Sequence, residues 1–258
     1  VVRVSKNAGD AGDHRAKAAL FDALAEVAGA LSAGRRAEIV DLLAQGERSV
    51  EEVAAEIDQS LANASHHLRA LARAGLVRSR RDGTRIYYRL AGPEVEALWS
   101  ALREVAEAVR DDLVRLADDY LGDTHDLRVV GRAELVEQLA KGAVTVLDVR
   151  PAPEYRSGHI SGARSVPLDQ LGAIVDQLPE GLPVVAYCRG PYCVFAPAAV
   201  RALRARGIDA ARLEDGFPEW RRAGLPVAVG DSPGALADVP GSGRATREPT
   251  QAPKTTSR

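Results

Sequence analysis

Residues 61–77 read LANASHHLRALARAGLV. Leu61, Ala64, Leu68 and Leu71 recur at helical spacing and share one face, while Asn63, His66, Arg69, Ala70 and Arg73 point largely the other way. Gly75 stops this helix. Just upstream, Ser49-Val50-Glu51-Glu52 is a capping box, a Ser cap with Glu three residues on, and it opens a short helix carrying Val53, Ala54 and Ile57. A turn through Asp58-Gln59-Ser60 joins the two. A short helix, a tight turn and a second helix with a polar outer face form the shape that fits a DNA major groove.

Downstream of Gly75 the chain continues as LVRSRRDGTRIYYRL, residues 76–90. Asp82-Gly83 between two alternating segments signals a hairpin. Between residues 61 and 90 the chain holds seven arginines (69, 73, 78, 80, 81, 85 and 89) and one acid, Asp82, although the whole chain has a formal net charge of −2. Acidic partners are absent locally, so these cations are expected to neutralise phosphates rather than one another. The expected DNA-contacting residues are Asn63, Ser65, His66, His67, Arg69, Arg73, Arg78, Arg80, Arg81 and Arg85. Asn63 and His66 are placed for base edges.

On the N-terminal side, Leu20, Phe21, Leu24 and Val27 mark a first helix, and Ile39, Val40, Leu42 and Leu43 a second that ends near Gly46. Pro93 opens a helix expected to run to about residue 121. Its stripe through Leu98, Leu102, Val105, Val109, Leu116 and Tyr120 is longer than a small domain can cover. Packing against the first helix and a second copy of the chain would cover it, and a homodimer would present two such helices to a palindromic double-stranded site.

The recognition-helix segment and the Arg-rich Asp-Gly hairpin resemble the arsenic-repressor (ArsR) family, over about residues 15–121. The resemblance implies a dimeric winged-helix repressor that releases operator DNA on an inducing signal. Many family members sense metals through Cys on the helices or through Asp/His/Glu sets on the last helix. This half of the chain has no Cys, and its last helix carries Asp111, Asp112, Asp118 and Asp119 but no His. His125 beyond it does not make a site, and no metal is expected.

With 258 residues the chain is expected to hold two domains. No apolar run approaches the roughly 18 residues of a membrane span, and Val1–Asn7 lacks the apolar core of a signal peptide. Two cysteines make no disulfide framework, which points to a reducing cytoplasm. The expected layout is a flexible start over residues 1–13, a mainly α winged helix-turn-helix domain over 14–121, a linker over 122–126, an α/β domain with a mainly parallel sheet over 127–229, and a Gly-, Pro-, Ser- and Thr-rich disordered tail over 230–258.

The second domain carries both cysteines, in Val184-Val185-Ala186-Tyr187-Cys188-Arg189-Gly190-Pro191-Tyr192-Cys193-Val194. A β-run, a short loop and a helix put Cys188 at a strand end and the loop at a helix N-terminus, where amides and the dipole favour anions. The expected anion-binding loop is Cys188, Arg189, Gly190, Tyr192, Cys193 and Val194. Cys188 is expected to be ionised there, with Arg189 adding charge next door. A phosphatase loop would need Arg at position 194, where Val stands.

Leu147-Asp148-Val149-Arg150 with Glu154-Tyr155, then Gly158-His159-Ile160-Ser161-Gly162-Ala163-Arg164-Ser165-Val166-Pro167, and later Leu213-Glu214-Asp215-Gly216-Phe217-Pro218-Glu219-Trp220, resemble a single rhodanese domain over about residues 127–229. The resemblance implies Cys188 as the nucleophile of a sulfurtransferase. It would take sulfane sulfur from a small donor such as thiosulfate or polysulfide and hold it as a transient persulfide, with no resident cofactor. Asp148 and Arg150 would shape the pocket, or Arg150 would pair with Glu154. His159 reads as a structural hydrogen-bonding residue and Trp220 as core. The loop departs from well-known thiosulfate sulfurtransferases: Pro191 removes an amide from the cradle, and Cys193 replaces the usual cation and reads as a resolving thiol.

Three functions follow. The first is a DNA-binding regulator whose Cys188 carries or senses sulfane sulfur or thiol oxidation and so controls operator binding. The second is an active sulfurtransferase that the winged helix only localises or dimerises. The third is an arsenite sensor using both thiols.

Overall fold

The computed structural model describes residues 10–179 and 181–234, with side chains from residue 14 on. It forms two units that divide between Thr124 and His125.

The first unit is helical with a small sheet. Helices α1 (Asp10–Gly29), α2 (Gly34–Leu43), α3 (Val50–Glu56), α4 (Leu61–Arg73), α5 (Pro93–Val109) and α6 (Leu113–Leu121) surround strands β1 (Arg48–Ser49), β2 (Val77–Asp82) and β3 (Arg85–Leu90). The Ser49 capping box forms as read: Glu52 N–H donates to Ser49 Oγ at 3.2 Å, and Ser49 N–H donates to Glu52 Oε2 at 2.7 Å. Ile39, Val40, Val53, Ile57, Ala64, Leu68 and Leu71 interlock as the core. β2 and β3 pair antiparallel with Asp82 opposite Arg85, so Gly83-Thr84 is the two-residue turn and Gly83 takes the positive φ, 58°, that such a turn demands. β1 adds a third strand alongside β3, two residues too short to announce itself in sequence.

The helix expected to run unbroken over 93–121 is two. Arg110 is extended (φ −112°, ψ 97°), and its guanidinium grips Asp112 through two bonds of 2.9 and 2.8 Å. Asp111-Asp112 sits where a new helix N-terminus favours acids, so the pair starts α6 rather than decorating a continuous face.

The second unit is built on a five-stranded, wholly parallel sheet. β4 (Val129–Val130), β5 (Thr145–Asp148), β7 (Arg164–Ser165), β8 (Val184–Tyr187) and β9 (Ala210–Leu213) take the spatial order β4-β9-β8-β5-β7. A separate antiparallel pair joins β6 (His159–Ile160) to β10 (Val227–Ala228). Helices α7 (Arg132–Ala140), α8 (Ala152–Ser157), α9 (Leu171–Ile174), α10 (Phe195–Arg204) and α11 (Phe217–Arg222) connect the strands. Alternation divides β8 between two cores. Val184, Ala186 and Cys188 pack with Ala199, Val200 and Leu203 of α10. Val185 and Tyr187 pack with Leu135, Phe217 and Trp220.

Both ends of this unit reach further than expected. Asp126 already accepts from Arg204 at 2.8 Å and Leu127 is buried, which shortens the linker. Gly230 N–H donates to Arg156 O at 2.9 Å and Gly162 N–H to Pro233 O at 2.5 Å, so residues 230–234 belong to the folded unit. At the other end of the chain, α1 takes in residues 10–13 of the expected flexible start. Residues 1–9 and 235–258 lie outside the described residues.

Candidate functional site

The first unit offers one surface. Ser60 caps α4 by accepting from Asn63 N–H at 3.2 Å, which fixes where the helix begins. Ala64, Leu68 and Leu71 face inward, and Asn63, His66, Arg69 and Arg73 are exposed. Ser65 is half-buried, its carbonyl accepting from Arg69 at 3.1 Å. His67 does not share the outer face. It is half-buried, its Nδ1 has no hydrogen-bond partner, and burial lowers its pKa, with His66, Arg36 and Arg35 adding to the effect.

On the β2–β3 wing Arg78, Arg81 and Arg85 are exposed. Arg80 is the exception to the expected lack of acidic partners. It binds Glu47 at 2.5 Å and Asp82 at 3.0 Å and lies over the Tyr87 ring at 4.5 Å. Glu47 stands outside the 61–90 window in which the charges were compared, and the hairpin brings it back. Arg85 is also under acidic influence, its pKa raised by Tyr87 first and by the charges of Glu51 and Glu52.

The second unit gathers its chemistry at the carboxyl ends of β5 and β8. Asp148 and Arg150 are both fully buried, paired at 2.5 Å. Arg150 also donates to Gly158 O at 2.8 Å and lies over the Phe217 ring at 4.5 Å. Tyr187 donates to Asp148 at 2.6 Å and accepts from Ile160 N–H at 3.0 Å. Asp148 and Arg150 are therefore a brace joining β5, β6, β8 and α11. Glu154 clamps Arg189, with contacts of 2.6 and 3.0 Å, while its charge also acts on Arg150. The Arg189 charge expected beside the thiol is thus held by a carboxylate. Its guanidinium caps the Phe195 ring at 5.2 Å.

The cysteine loop closes over this brace. Phe217 N–H donates to Cys188 O at 3.1 Å, and Cys193 N–H to Gly190 O at 3.2 Å. A Cβ on Gly216 would lie 2.3 Å from Gly190 N and 2.4 Å from Arg189 C, so only glycine allows this approach.

Residues 132–223 match the rhodanese-like domain family, and residues 31–80 match a helix-turn-helix domain family. Over 220 residues the chain is 48% identical to the HTH-type transcriptional regulator Rv0324 of Mycobacterium tuberculosis, a match spanning 85% of this chain and 96% of that protein. The chain belongs to the ArsR-type helix-turn-helix transcriptional regulators that carry a C-terminal rhodanese domain. The uncharacterized HTH-type transcriptional regulator Rv0081 of the same species is 34% identical over 107 residues, 41% of this chain and 88% of that protein. The solved homodimeric winged helix-turn-helix domain of Mb0332 from Mycobacterium bovis is 43% identical and covers 43% of this chain and 94% of that one, with a TM-score of 0.35.

Within this regulator the two thiols are not equivalent. Cys188 is 3% exposed and sits in the α10-side core, and its Sγ faces Cys193 O at 3.6 Å and Gly190 O at 3.8 Å. Two carbonyl oxygens favour an S–H over a thiolate. Burial pushes the Cys188 thiol well up, and its bond to Cys193 adds to the shift. Cys193 is half-buried, and its pKa is lowered, first by the Cys188 thiol and then by the Phe195 and Arg189 amides and the Arg189 charge. Cys188 was expected at the open end of the strand; β8 alternation instead sends its side chain into the core, where burial pushes the thiol up.

Gly190, Tyr192 and Val194 are half-buried in the loop. Asp148 and Arg150 are fully buried. His159 is fully buried, with Nδ1 2.8 Å from Tyr155 O and Nε2 2.9 Å from Ser232 O, and it stacks on Tyr155. It has the hydrogen-bonding place read from sequence, and one partner lies in the stretch assigned to the tail. Glu47, Glu154 as the Arg189 clamp, and Tyr187 escaped the sequence reading. Their partners lie 33, 35 and 39 residues away, and no local pattern signals such pairs. Among the described residues no group of three His, Cys, Asp or Glu could hold a metal ion, and no helix is long and apolar enough to cross a membrane.

Proposed function

We propose that this regulator is a cytoplasmic homodimeric repressor that binds double-stranded operator DNA through α4 and the β2–β3 wing. Its rhodanese domain takes the signal, a sulfane sulfur or an oxidising equivalent, on the Cys188/Cys193 pair as a transient persulfide or as the disulfide that follows. The observation that carries this reading is the pairing, in one chain, of an exposed cationic helix-and-wing surface with two free thiols on one loop, the Cys188 Sγ lying 3.6 Å from Cys193 O.

Dimerisation is supported by the apolar side chains left at the surface. Leu20, Phe21 and Leu24 of α1 are 57–60% exposed, and Val105, Val109 and Tyr120 of α5 and α6 are 56–68% exposed. A second copy would bury them, as α6 has no buried residue of its own. The coupling required is modest: a tenfold change in operator affinity takes about 1.4 kcal/mol of differential stabilisation.

The test is operator binding by fluorescence anisotropy before and after polysulfide or peroxide, with the Cys188→Ser/Cys193→Ser double variant alongside. The reading expects a response of the wild type that the double variant lacks. A wild type indifferent to both treatments refutes it. Two thiols this close also meet the requirement for arsenite, so an arsenite arm in the same titration decides that rival. Turnover as a thiosulfate sulfurtransferase is disfavoured by Arg189, whose charge Glu154 holds, and by Pro191, which offers no amide.

A further inference from the structure

Leu61 opens α4 with a side chain that the core does not claim. Helical spacing puts it on the side of Ala64, Leu68 and Leu71, yet those three are buried and Leu61 is 52% exposed. Ala62 and Asn63 are exposed as well. Consecutive residues of a helix point in directions about 100° apart, so a first turn exposed at all three projects free of the unit. The tilt of each Cβ toward the helix N-terminus carries the Leu61 side chain to the tip. Among the described residues of the first unit, the other exposed large apolar side chains belong to α1, α5 and α6, apart from Ile86 on the wing. The α1, α5 and α6 group is the surface assigned above to a second copy. Leu61 instead shares its helix with Asn63, His66 and Arg69, all exposed, and it begins the 61–90 stretch of seven arginines and one acid.

From this placement we infer that Leu61 reads the C5-methyl group of a thymine in the major groove. The inference rests on the operator-binding reading above and names one base feature that this surface selects. A recognition helix enters the groove with its N-terminal residues at the base edges, and Leu61 is the first residue of α4. Its side chain has no hydrogen-bonding group, so it cannot answer the donors and acceptors by which bases differ. Set against them, it would strip water from polar base edges without replacing their bonds. The thymine methyl is the apolar feature of the major-groove edge, and an apolar side chain is the chemistry that matches it. The same contact takes Leu61 out of water, which folding of the unit leaves undone. The arginines of α4 and the wing attract phosphates whatever the sequence. Leu61 carries no charge, so it acts on the choice among sequences and not on the salt dependence.

The experiment offers the full chain a random duplex library. The enriched duplex is resynthesised with each thymine changed in turn to deoxyuridine, which removes the methyl group and leaves the base pair intact. The wild type is expected to bind about fourfold more weakly when the contacted thymine is changed, the factor that corresponds to about 0.8 kcal/mol for one buried carbon group. Leu61→Ala is expected to keep the wild-type melting curve and oligomeric state, because the side chain is exposed, and to bind the thymine and deoxyuridine duplexes equally. Leu61→Gln, a second substitution that suits a helix, is expected to behave in the same way. Arg81→Ala is expected to weaken binding to both duplexes and keep their ratio. If no thymine is sensitive to the change, the inference is overturned and operator binding still stands. A ratio that survives in Leu61→Ala and Leu61→Gln assigns the methyl contact to another residue and overturns the inference as well. A changed oligomeric state in these variants would make Leu61 a subunit contact, with the same result. If the library yields no enriched duplex, the operator-binding reading fails and takes the inference with it.

Discussion

The two units of the regulator keep their charge in opposite places. In the first, the arginines that matter stand in solvent on α4 and the wing, and large apolar side chains of α1, α5 and α6 are exposed with them. In the second, Asp148, Arg150, Glu154 and His159 are wholly buried: Asp148 and Arg150 pair with each other, Glu154 holds Arg189, and His159 bonds to backbone. A charged surface can be altered with little effect on folding, because water solvates whatever is lost. A buried ionic brace cannot, because removing one partner leaves the other uncompensated. Recognition in the first unit is therefore separable from stability, while loop chemistry in the second is tied to it.

The sharpest way to break this contrast is Asp148→Ala. It strips Arg150 of its counter-ion and Tyr187 of its acceptor, and a cost of about 3–5 kcal/mol is expected for breaking such a pair. The chain has two tryptophans, Trp99 in the first unit and Trp220 fully buried in the second, so each unit carries its own fluorescent reporter. In a Trp99→Phe background, urea unfolding followed at Trp220 should show the loss. An unchanged midpoint would mean that the brace is not holding the second unit together.

Gly216→Ala comes next. The added methyl would overlap the backbone of Arg189 and Gly190, and the loop must move to admit it. Overpacking of this kind costs about 1–3 kcal/mol. Here the chemistry should move along with the stability: the ratio of iodoacetamide alkylation rates at Cys188 and Cys193 in the folded protein should change, since both thiols sit on the loop that Gly216 contacts. A stable Gly216→Ala protein with the same alkylation ratio would show that the loop is not set by this contact.

In the first unit the largest structural effect accessible from the sequence is smaller. Ser49→Ala removes the acceptor for Glu52 N–H and is expected to cost about 1 kcal/mol, read at Trp99 in a Trp220→Phe background. No change in that midpoint would show that water replaces the cap at no cost.

How much of this was legible follows the range of the interactions. The capping box, the Ser60 start of α4, the Asp-Gly hairpin and the β-run leading into Cys188 are local, and spacing alone predicts them within a residue or so. The apolar stripe of residues 93–121 was read correctly as apolar but wrongly as continuous. Asp111-Asp112 carries both a surface signal and a helix-start signal, and periodicity attends only to the first. The cysteine loop is legible in its composition, but the burial of its first thiol is not. Proximity to a helix N-terminus predicts an acidic Cys188, but the two-residue period of β8 places it with Val184 and Ala186 in the core, and burial outweighs the amides. The clamps Glu47–Arg80 and Glu154–Arg189 were beyond reach because each joins residues more than thirty positions apart.

The wing provides the smallest effect and the finest test of the contrast. Arg81 is exposed, and its Nε donates to Gly83 O within the turn, whereas Arg80 is committed to Glu47 and Asp82. Arg80 must give up two carboxylates before it can bind a phosphate, while Arg81 gives up only a carbonyl contact. Arg81→Ala should therefore weaken binding to all duplex sequences alike and reduce the slope of log K against log salt by about 0.9, as for one phosphate contact. Arg80→Ala should reduce it by less, and Glu47→Gln should raise affinity by loosening Arg80. None of the three should move the unfolding midpoint, because each side chain is at least partly in water and ion pairs there contribute little. If Arg80→Ala lowered the salt slope as much as Arg81→Ala, the Glu47 clamp would have to open on DNA, and the wing would differ from the second unit, whose buried pairs stay closed.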